Sequence, residues 1–326
     1  MKISVVVPVY YNAASLPLLH ERLAKVAAQI AYSEFEFIFV DDGSGDDSFE
    51  VLRNLTETDS RVKAIRLVRN SGSNPAILAG LAHAQGDASV VITADLQDPP
   101  ELLPEMVTKW CEGYKVVLAV RTQRSDPWIT RLTGDVFNWL YKRLVFPNFP
   151  QKGFDFFLAD KEVIRVLVQN AGPNLYLFGL LLWAGFKSVT VSYERAERKF
   201  GKSRWTLGKK IKYFMDAFVG FSYLPLRITS VVGMLLALFG FLYAGFVVIA
   251  RIVWGFPVEG WTSLMVVLLL VSGVQLVMLG ILGEYLWRNL DETRRRPLYL
   301  IGETLGFENH PRETPVTRVS IEKMDE

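Results

Sequence analysis

Val90-Val91-Ile92-Thr93-Ala94-Asp95-Leu96-Gln97-Asp98-Pro99-Pro100-Glu101 is the stretch that decides the fold. An apolar, β-branched run ends abruptly in carboxylates, an amide and two prolines. A buried strand leaves a sheet in this way, with a helix starting behind the prolines. The same alternation recurs on both sides. Short β-rich runs occupy Ile3–Val9, Phe35–Val40, Lys63–Val68, Ala88–Ile92, Lys115–Val120 and Ser188–Tyr193. Helix-length segments separate them: Ser15–Ala31, with Leu and Ala at helical spacing, Asp46–Leu55, with acidic and Ser residues at its start, then Asn74–Ala84 and Glu101–Glu112. Strand and helix in alternation predict an α/β domain, a mostly parallel sheet with flanking helices. Such sheets bind ligands at the carboxyl ends of their strands, near a switch point, so the residues just after each strand are the candidate site.

Composition narrows the function. The length of 326 residues predicts roughly two units. Half of the residues are hydrophobic and the mean hydropathy is +0.22 although 21% are charged, so the apolar residues must be unevenly spread. An aromatic content of 13% excludes disorder as a whole-chain description. With 36 basic and 34 acidic residues, a global nucleic-acid binder is not expected. A single cysteine, Cys111, excludes an internal disulfide and a cysteine zinc cage. His20, His83 and His310 are scattered, which argues against a histidine metal site or a triad. A metal here is held by oxygen, which suits magnesium or manganese. At the N-terminus, Pro8 and Asn12 cut short the apolar run Ile3–Val7, so it reads as a buried strand and not as a signal peptide.

The second half changes character. Ile228–Ala250 and Thr262–Gly283 carry no charge, and each exceeds the roughly 20 residues that span a hydrocarbon core. They are apolar all round, which a soluble hairpin in a chain of this size could hardly bury twice. Basic residues flank the pair: Arg195, Arg198, Lys199, Lys202, Arg204, Lys209, Lys210, Lys212 and Arg227 before it, Arg288 and Arg294–Arg296 after it. The short connection Arg251–Trp261 holds only Arg251, expected to snorkel. This asymmetry predicts both termini in the cytoplasm. Thr206–Tyr223 reads as an amphipathic bridge, with Lys209, Lys210 and Lys212 toward headgroups and Ile211, Phe214, Phe218 and Phe221 toward the acyl boundary. For Ile129–Phe146 ordinary packing is preferred over the same role. From Gly302 the tail shows no periodicity and is expected to be loose. The expected layout is a cytoplasmic α/β domain at 1–205, a juxtamembrane segment at 206–225, a transmembrane hairpin at 226–288 and a cytoplasmic tail at 289–326. Gly233, Gly240, Gly245, Gly273 and Gly280 suit packing between protomers, so a homo-oligomer is expected.

At the end of the fourth strand, Asp95 and Gln97 are two apart and would share one side of an extended segment. They could hold magnesium or manganese, with diphosphate oxygens and water completing six positions. A polar turn capping the helix that starts at Pro99 explains the spacing equally well. At the second strand's end, Asp41-Asp42-Gly43-Ser44 suits contacts to donor groups of a nucleotide; an Asp-rich turn with N-caps is the alternative. Neither Gly-x-Gly-x-x-Gly nor Gly-x-x-x-x-Gly-Lys-[Ser/Thr] occurs, so a dinucleotide fold and a P-loop lose support. Pro8 and Tyr10 could form a base platform, though core packing is the simpler reading. Cations follow other strands in Arg69-Asn70-Ser71-Gly72, in Arg121-Thr122-Gln123-Arg124 and across Glu194–Trp205. They suit phosphates, and singly each is as readily a solvated charge.

Together these motifs resemble the membrane-bound polyprenyl-phosphate glycosyltransferases of glycosyltransferase family 2, which include dolichol-phosphate mannose synthases and the bacterial glucosyltransferases that load undecaprenyl phosphate. Val-Pro-Val-Tyr, Val-Asp-Asp-Gly-Ser, Arg-Asn-x-Gly, Ala-Asp-Leu-Gln-Asp-Pro-Pro-Glu and Arg-x-x-Arg-x-x-Gly-x-Ser-x-Trp occur in family order, then two spans. Gly283-Glu284-Tyr285-Leu286 and Arg296-Pro297-Leu298-Tyr299 are similar to the bacterial branch. The resemblance implies a GT-A fold and an inverting transfer of one sugar from a nucleotide, UDP-glucose first, then UDP-N-acetylglucosamine or GDP-mannose, to undecaprenyl phosphate at the bacterial inner membrane. It implies that Pro8, Tyr10, Asn12, Asp41, Asp42, Arg69, Gly72, Ala94 and Asp95 bind the nucleotide, with Asp41 reading the base. It assigns Asp95 and Gln97 to a Mg2+ or Mn2+ ion, Arg121, Arg198, Lys202 and Ser203 to phosphate oxygens, and Asp155 with Asp95 to catalysis. Two positions depart from the family: Thr93 replaces the first Asp of Asp-x-Asp, and Phe157 replaces an Arg after Asp155-Phe156. They are the support for a competing reading, a sugar-nucleotide-binding membrane partner without turnover. A processive polysaccharide synthase would need more spans and a Gln-x-x-Arg-Trp motif, and neither is present.

Overall fold

A computed structural model describes residues 1–31, 33–122, 139, 141–146, 150, 154–174, 176–194, 208, 216–254 and 260–307. The chain divides into two compact units, Met1–Gly220 with Arg295–Glu326, and Phe221–Arg294.

Among the described residues, the first unit is built on one sheet of eight strands. In chain order its described elements are β1 (Lys2–Val9), α1 (Leu16–Gln29), β2 (Glu34–Asp41), α2 (Ser48–Thr58), β3 (Val62–Leu67), α3 (Ser73–His83), β4 (Ala88–Val91), a 3-10 turn (Pro100–Leu102), α4 (Leu103–Cys111), β5 (Val116–Arg121), β6 (Phe156–Asp160), α5 (Lys161–Gln169), α6 (Leu177–Trp183), β7 (Ser188–Tyr193) and, after the second unit, β8 (Ile301–Leu305). The spatial order is β7-β5-β6-β4-β1-β2-β3-β8. β4, β1, β2 and β3 run parallel, as do β5 and β7. β1 and β2 are buried almost throughout because helices cover both faces, which is why they read as continuous apolar runs and not as alternating ones. α1 turns Leu16, Leu19, Leu23 and Val26 onto Val5, Val7, Phe37 and Phe39 of the core, at the three- and four-residue spacing of a helix face.

Two strands were not expected from the sequence, and both are antiparallel. β6 lies between β4 and β5 and opposes each. β8 pairs antiparallel with the outer edge of β3. The tail is therefore not loose from Gly302: Ile301–Leu305 closes the sheet edge, and Glu303 bonds Arg53 of α2 at 2.9 Å. A carboxylate on the partly covered face of this strand disguises its period of two.

The expected membrane-facing role of Phe218 is also corrected. Phe218 is buried, edge-on to the fully buried Tyr141 ring at 5.6 Å. Tyr141 in turn meets Tyr176 and Phe146, so this part of the Ile129–Phe146 stretch is packed core.

The second unit is a helical hairpin, α7 (Leu224–Trp254) and α8 (Trp261–Thr293). Both are long and apolar enough to cross a membrane, and their large side chains, among them Phe239, Phe241, Leu269 and Leu276, are exposed along the length. Soluble monomers rarely expose an apolar patch of that extent, which marks a membrane or protein interaction surface. α8 has 33 residues and measures about 50 Å, more than the roughly 30 Å of a hydrocarbon core. Its last turns carry Glu284, Arg288 and Asp291, with Arg288 bonded to Glu284 one turn back at 2.8 Å.

Candidate active site

Parallel strands deliver the ends of β1, β2, β3, β4, β5 and β7 to one edge of the sheet. β6 runs the other way, so its beginning reaches that same edge, and this places Asp155 there.

The β1 and β2 ends are laced together through backbone N–H groups. Tyr11 N–H donates to Ser44 Oγ (3.0 Å), Asn12 N–H to Ser48 Oγ (2.9 Å) and Tyr10 N–H to Asn12 Oδ1 (3.0 Å). Tyr11 is held at φ 57, a left-handed conformation rare for a bulky residue and typical of functional loops. Pro8, Tyr10 and Asn12 are half-buried beside it. Asp41 is fully buried and accepts from Ser44 N–H. Burial pushes its carboxyl above the ordinary range, against the Ser44 donor and the Arg66 cation.

Asp42 is a loop clamp. Its two carboxylate oxygens accept from the backbone N–H groups of Ser71 (2.6 Å) and Gly72 (2.9 Å), fixing the Arg69–Gly72 loop. Gly43 makes the approach possible: at φ 67, a Cβ there would lie 2.8 Å from the Arg69 carbonyl carbon and 2.9 Å from Asn70 N. Asp42→Ala frees two N–H groups at once. The expected cost is about 2–3 kcal/mol of stability, with faster hydrogen exchange at Ser71 and Gly72 than elsewhere on the edge. Unchanged exchange there would refute the clamp.

The β4 end is a turn, not the extended segment expected from the spacing of Asp95 and Gln97. Leu96 sits at φ 61, and Gln97 N–H donates to Asp95 Oδ1 at 3.2 Å. Ser15, buried at the start of α1, donates to the Ala94 carbonyl at 2.7 Å and pins the turn from below. The capping alternative also fails: no side chain caps the 3-10 turn or α4. The Asp98 carboxylate instead accepts from Thr93 Oγ1 (2.7 Å) and from the Tyr193 hydroxyl (2.5 Å). Thr93 Oγ1 also lies 2.8 Å from Asp95 Oδ1. One hydroxyl hydrogen cannot serve two carboxylates at once. Hard oxygens from Asp95 and Gln97 suit a divalent ion, and no cluster of three acidic, His or Cys ligands occurs among the described residues. The set is incomplete without ligand oxygens.

At the β5 end, Arg121 is buried and donates to Asp155, whose side chain is 40% exposed. Arg121 and Tyr193 are register partners on β5 and β7. Burial and the neighbouring Asp98 push the Tyr193 phenol well above its ordinary range, so it stays a donor at neutral pH. Phe157 points into the core, edge-on to Phe178.

The edge thus gathers Pro8, Tyr10, Asn12, Asp41, Asp42, Arg69, Gly72, Ala94, Asp95, Gln97, Arg121 and Asp155. Arg198, Lys202 and Ser203 lie outside the described residues. Sequence reasoning missed Tyr193, Ser15, and the way Ser44 and Ser48 hold the β1 loop. Ser44 and Ser48 were visible in the Asp-Gly-Ser run, but as caps.

Residues 4–167 match Glycosyl transferase family 2, and residues 224–288 match the GtrB C-terminal hairpin. The uncharacterized glycosyltransferase YkcC of Bacillus subtilis (strain 168) is 41% identical over 307 residues, covering 94% of this chain and 95% of its own. The bactoprenol glucosyl transferase of Shigella phage SfV is 37% identical over 302 residues, covering 92% of this chain and 98% of its own. A solved structure of glucosyl-3-phosphoglycerate synthase from Mycobacterium tuberculosis, with Mn2+, UDP-glucose and phosphoglyceric acid, aligns over 65% of this chain and 76% of its own at 20% identity and TM-score 0.48.

Proposed function

Because the chain belongs to glycosyl transferase family 2, we propose that it moves one sugar, glucose from UDP-glucose in the first instance, onto a polyprenyl phosphate at the cytoplasmic face of a bacterial inner membrane. The observation that carries this reading is the likeness to bactoprenol glucosyl transferases, which runs through the sheet unit and the hairpin alike. The protein is a glycosyltransferase, and the reading without turnover is set aside. Neither of its two supports marks a lost function: the Thr93 hydroxyl lies between the Asp95 and Asp98 carboxylates, and the Phe157 ring packs in the core.

The hairpin's connections support the topology. Gly220 before it and Arg295 after it belong to the same unit, since β8 completes the sheet of β3. A chain that enters and leaves a bilayer between those points crosses an even number of times. The basic flanks then favour the cytoplasmic side for the site. A homo-oligomer through the hairpin glycines belongs to the same reading.

The chemistry needs little base strength. A lipid phosphate oxygen is already anionic; it attacks the anomeric carbon as the bond from that carbon to the nucleoside diphosphate breaks, with inversion. When bound, Mg2+ or Mn2+ offsets the charge developing on the diphosphate. Asp95 and Gln97 would hold that ion. The β1 loop with Asp41, and the loop fixed by Asp42, would seat the nucleotide. Arg121 supplies a fixed positive field near the acceptor, and Asp155, held by Arg121, orients it. Arg198, Lys202 and Ser203 would recruit the lipid phosphate.

The test is a panel of nucleotide sugars with undecaprenyl phosphate in detergent, with Mg2+ or Mn2+, read by mass spectrometry. The expected result is one donor giving a single-sugar lipid phosphate. Transfer to another acceptor, or repeated addition, would overturn the assignment.

A further inference from the structure

We propose that Tyr193 and Asp98 are positioning residues that hold the two acidic groups of the site, Asp95 and Asp155, in one fixed relation. A line of neighbouring polar groups joins them. Asp95 meets the Thr93 hydroxyl, which meets Asp98 Oδ2. Asp98 Oδ1 accepts from Tyr193, Tyr193 stands beside Arg121 as its register partner on the neighbouring strand, and Arg121 holds Asp155. The line crosses four neighbouring strands, β7, β5, β6 and β4, so each carboxylate is tied to a different part of the sheet through the same two residues.

Burial argues that this line of groups serves the site. Asp98 is completely buried and Tyr193 nearly so, so neither meets a substrate directly. A buried carboxylate carries a desolvation cost of several kcal/mol, and neutral hydroxyl donors offset only part of it. An apolar side chain here would be as stable or more so. What the carboxylate adds is direction: it fixes the Thr93 hydroxyl on one side and the Tyr193 hydroxyl on the other. Groups that orient a ligand-holding carboxylate in this way tune the ligand from behind it.

The inference rests on the glycosyl-transfer reading, and its test separates the two. Binding of UDP to the full-length protein in detergent is followed by calorimetry while Mn2+ is titrated, alongside turnover. Tyr193→Phe removes one oxygen atom. It should raise the Mn2+ concentration needed for half-maximal UDP binding by about tenfold or more, with a loss of turnover of similar size. Thr93→Val should behave alike, and Thr93→Ser should restore wild-type values. Combined with Asp155→Asn, Tyr193→Phe should cost less than the sum of the two single losses, because both act through Arg121. Wild-type metal dependence in both Tyr193→Phe and Thr93→Val, with additive losses, overturns the inference alone. A wild-type protein that binds no UDP with either metal overturns the underlying reading and this inference with it.

Discussion

Asp95→Ala should lower sugar transfer by about a thousandfold or more while the protein stays folded. The carboxylate lies half-buried on a turn that it holds through the Gln97 N–H and that Ser15 also holds through the Ala94 carbonyl. Removing it therefore costs little packing. What is lost is the charged oxygen that would hold a divalent ion against the diphosphate, and several kcal/mol of charge stabilisation at the leaving group corresponds to a rate factor of about that size. Asp95→Asn keeps the shape and should fail nearly as badly, since an amide binds the cation far more weakly. The check is lipid-linked product per unit time, with Mn2+-dependent UDP binding and the thermal midpoint measured on the same sample. Turnover within about fivefold of wild type would remove Asp95 from the reaction.

Glu36→Ala should have the largest effect on stability, at the opposite edge of the sheet. Glu36 is 2% exposed at the start of β2. It accepts from Ser4 Oγ (2.5 Å), Lys63 Nζ (2.7 Å) and Gln85 N–H (2.7 Å), and Lys2 Nζ stands 3.2 Å away. Truncation leaves the Lys63 ammonium half of a buried pair, which typically costs about 3–5 kcal/mol. Burial alone would raise the Glu36 carboxyl, but Lys63, Ser4 and Gln85 N–H outweigh it and hold the group below its ordinary value. The folded pKa is thus lower than the unfolded one. The stabilisation is complete above the unfolded value of about 4.3 and is lost as pH falls through the folded one. Glu36→Gln should therefore be less stable at neutral pH and should show a shallower loss of stability in acid. Denaturant unfolding of both proteins across about pH 3 to 7 measures this, and identical acid slopes would sink the argument.

Much of the fold was legible in the sequence. Short β-rich runs between helix-period segments located six strands and four helices of the described sheet unit, since the central strands are buried on both faces and β7 alternates between polar and apolar residues. The charge-free hairpin was equally plain. Asp41, Asp42, Asp95 and Arg121 could be placed at one edge because a parallel sheet sends every strand's last residues there. The two antiparallel strands were not found. Phe156–Asp160 is a short buried run whose direction only its neighbours decide, and Ile301–Leu305 gains its structure from the open edge of β3. The pairings at the site were out of reach for the same reason. Arg121 meets Asp155 across 34 positions of chain and Tyr193 meets Asp98 across 95, distances that no local periodicity encodes. Local periodicity told which residues stand at the carboxyl ends of the parallel strands. Strand order and direction decided which of them touch, because hydrogen bonds reach only about 3 Å and the sheet alone brings such distant residues within that range.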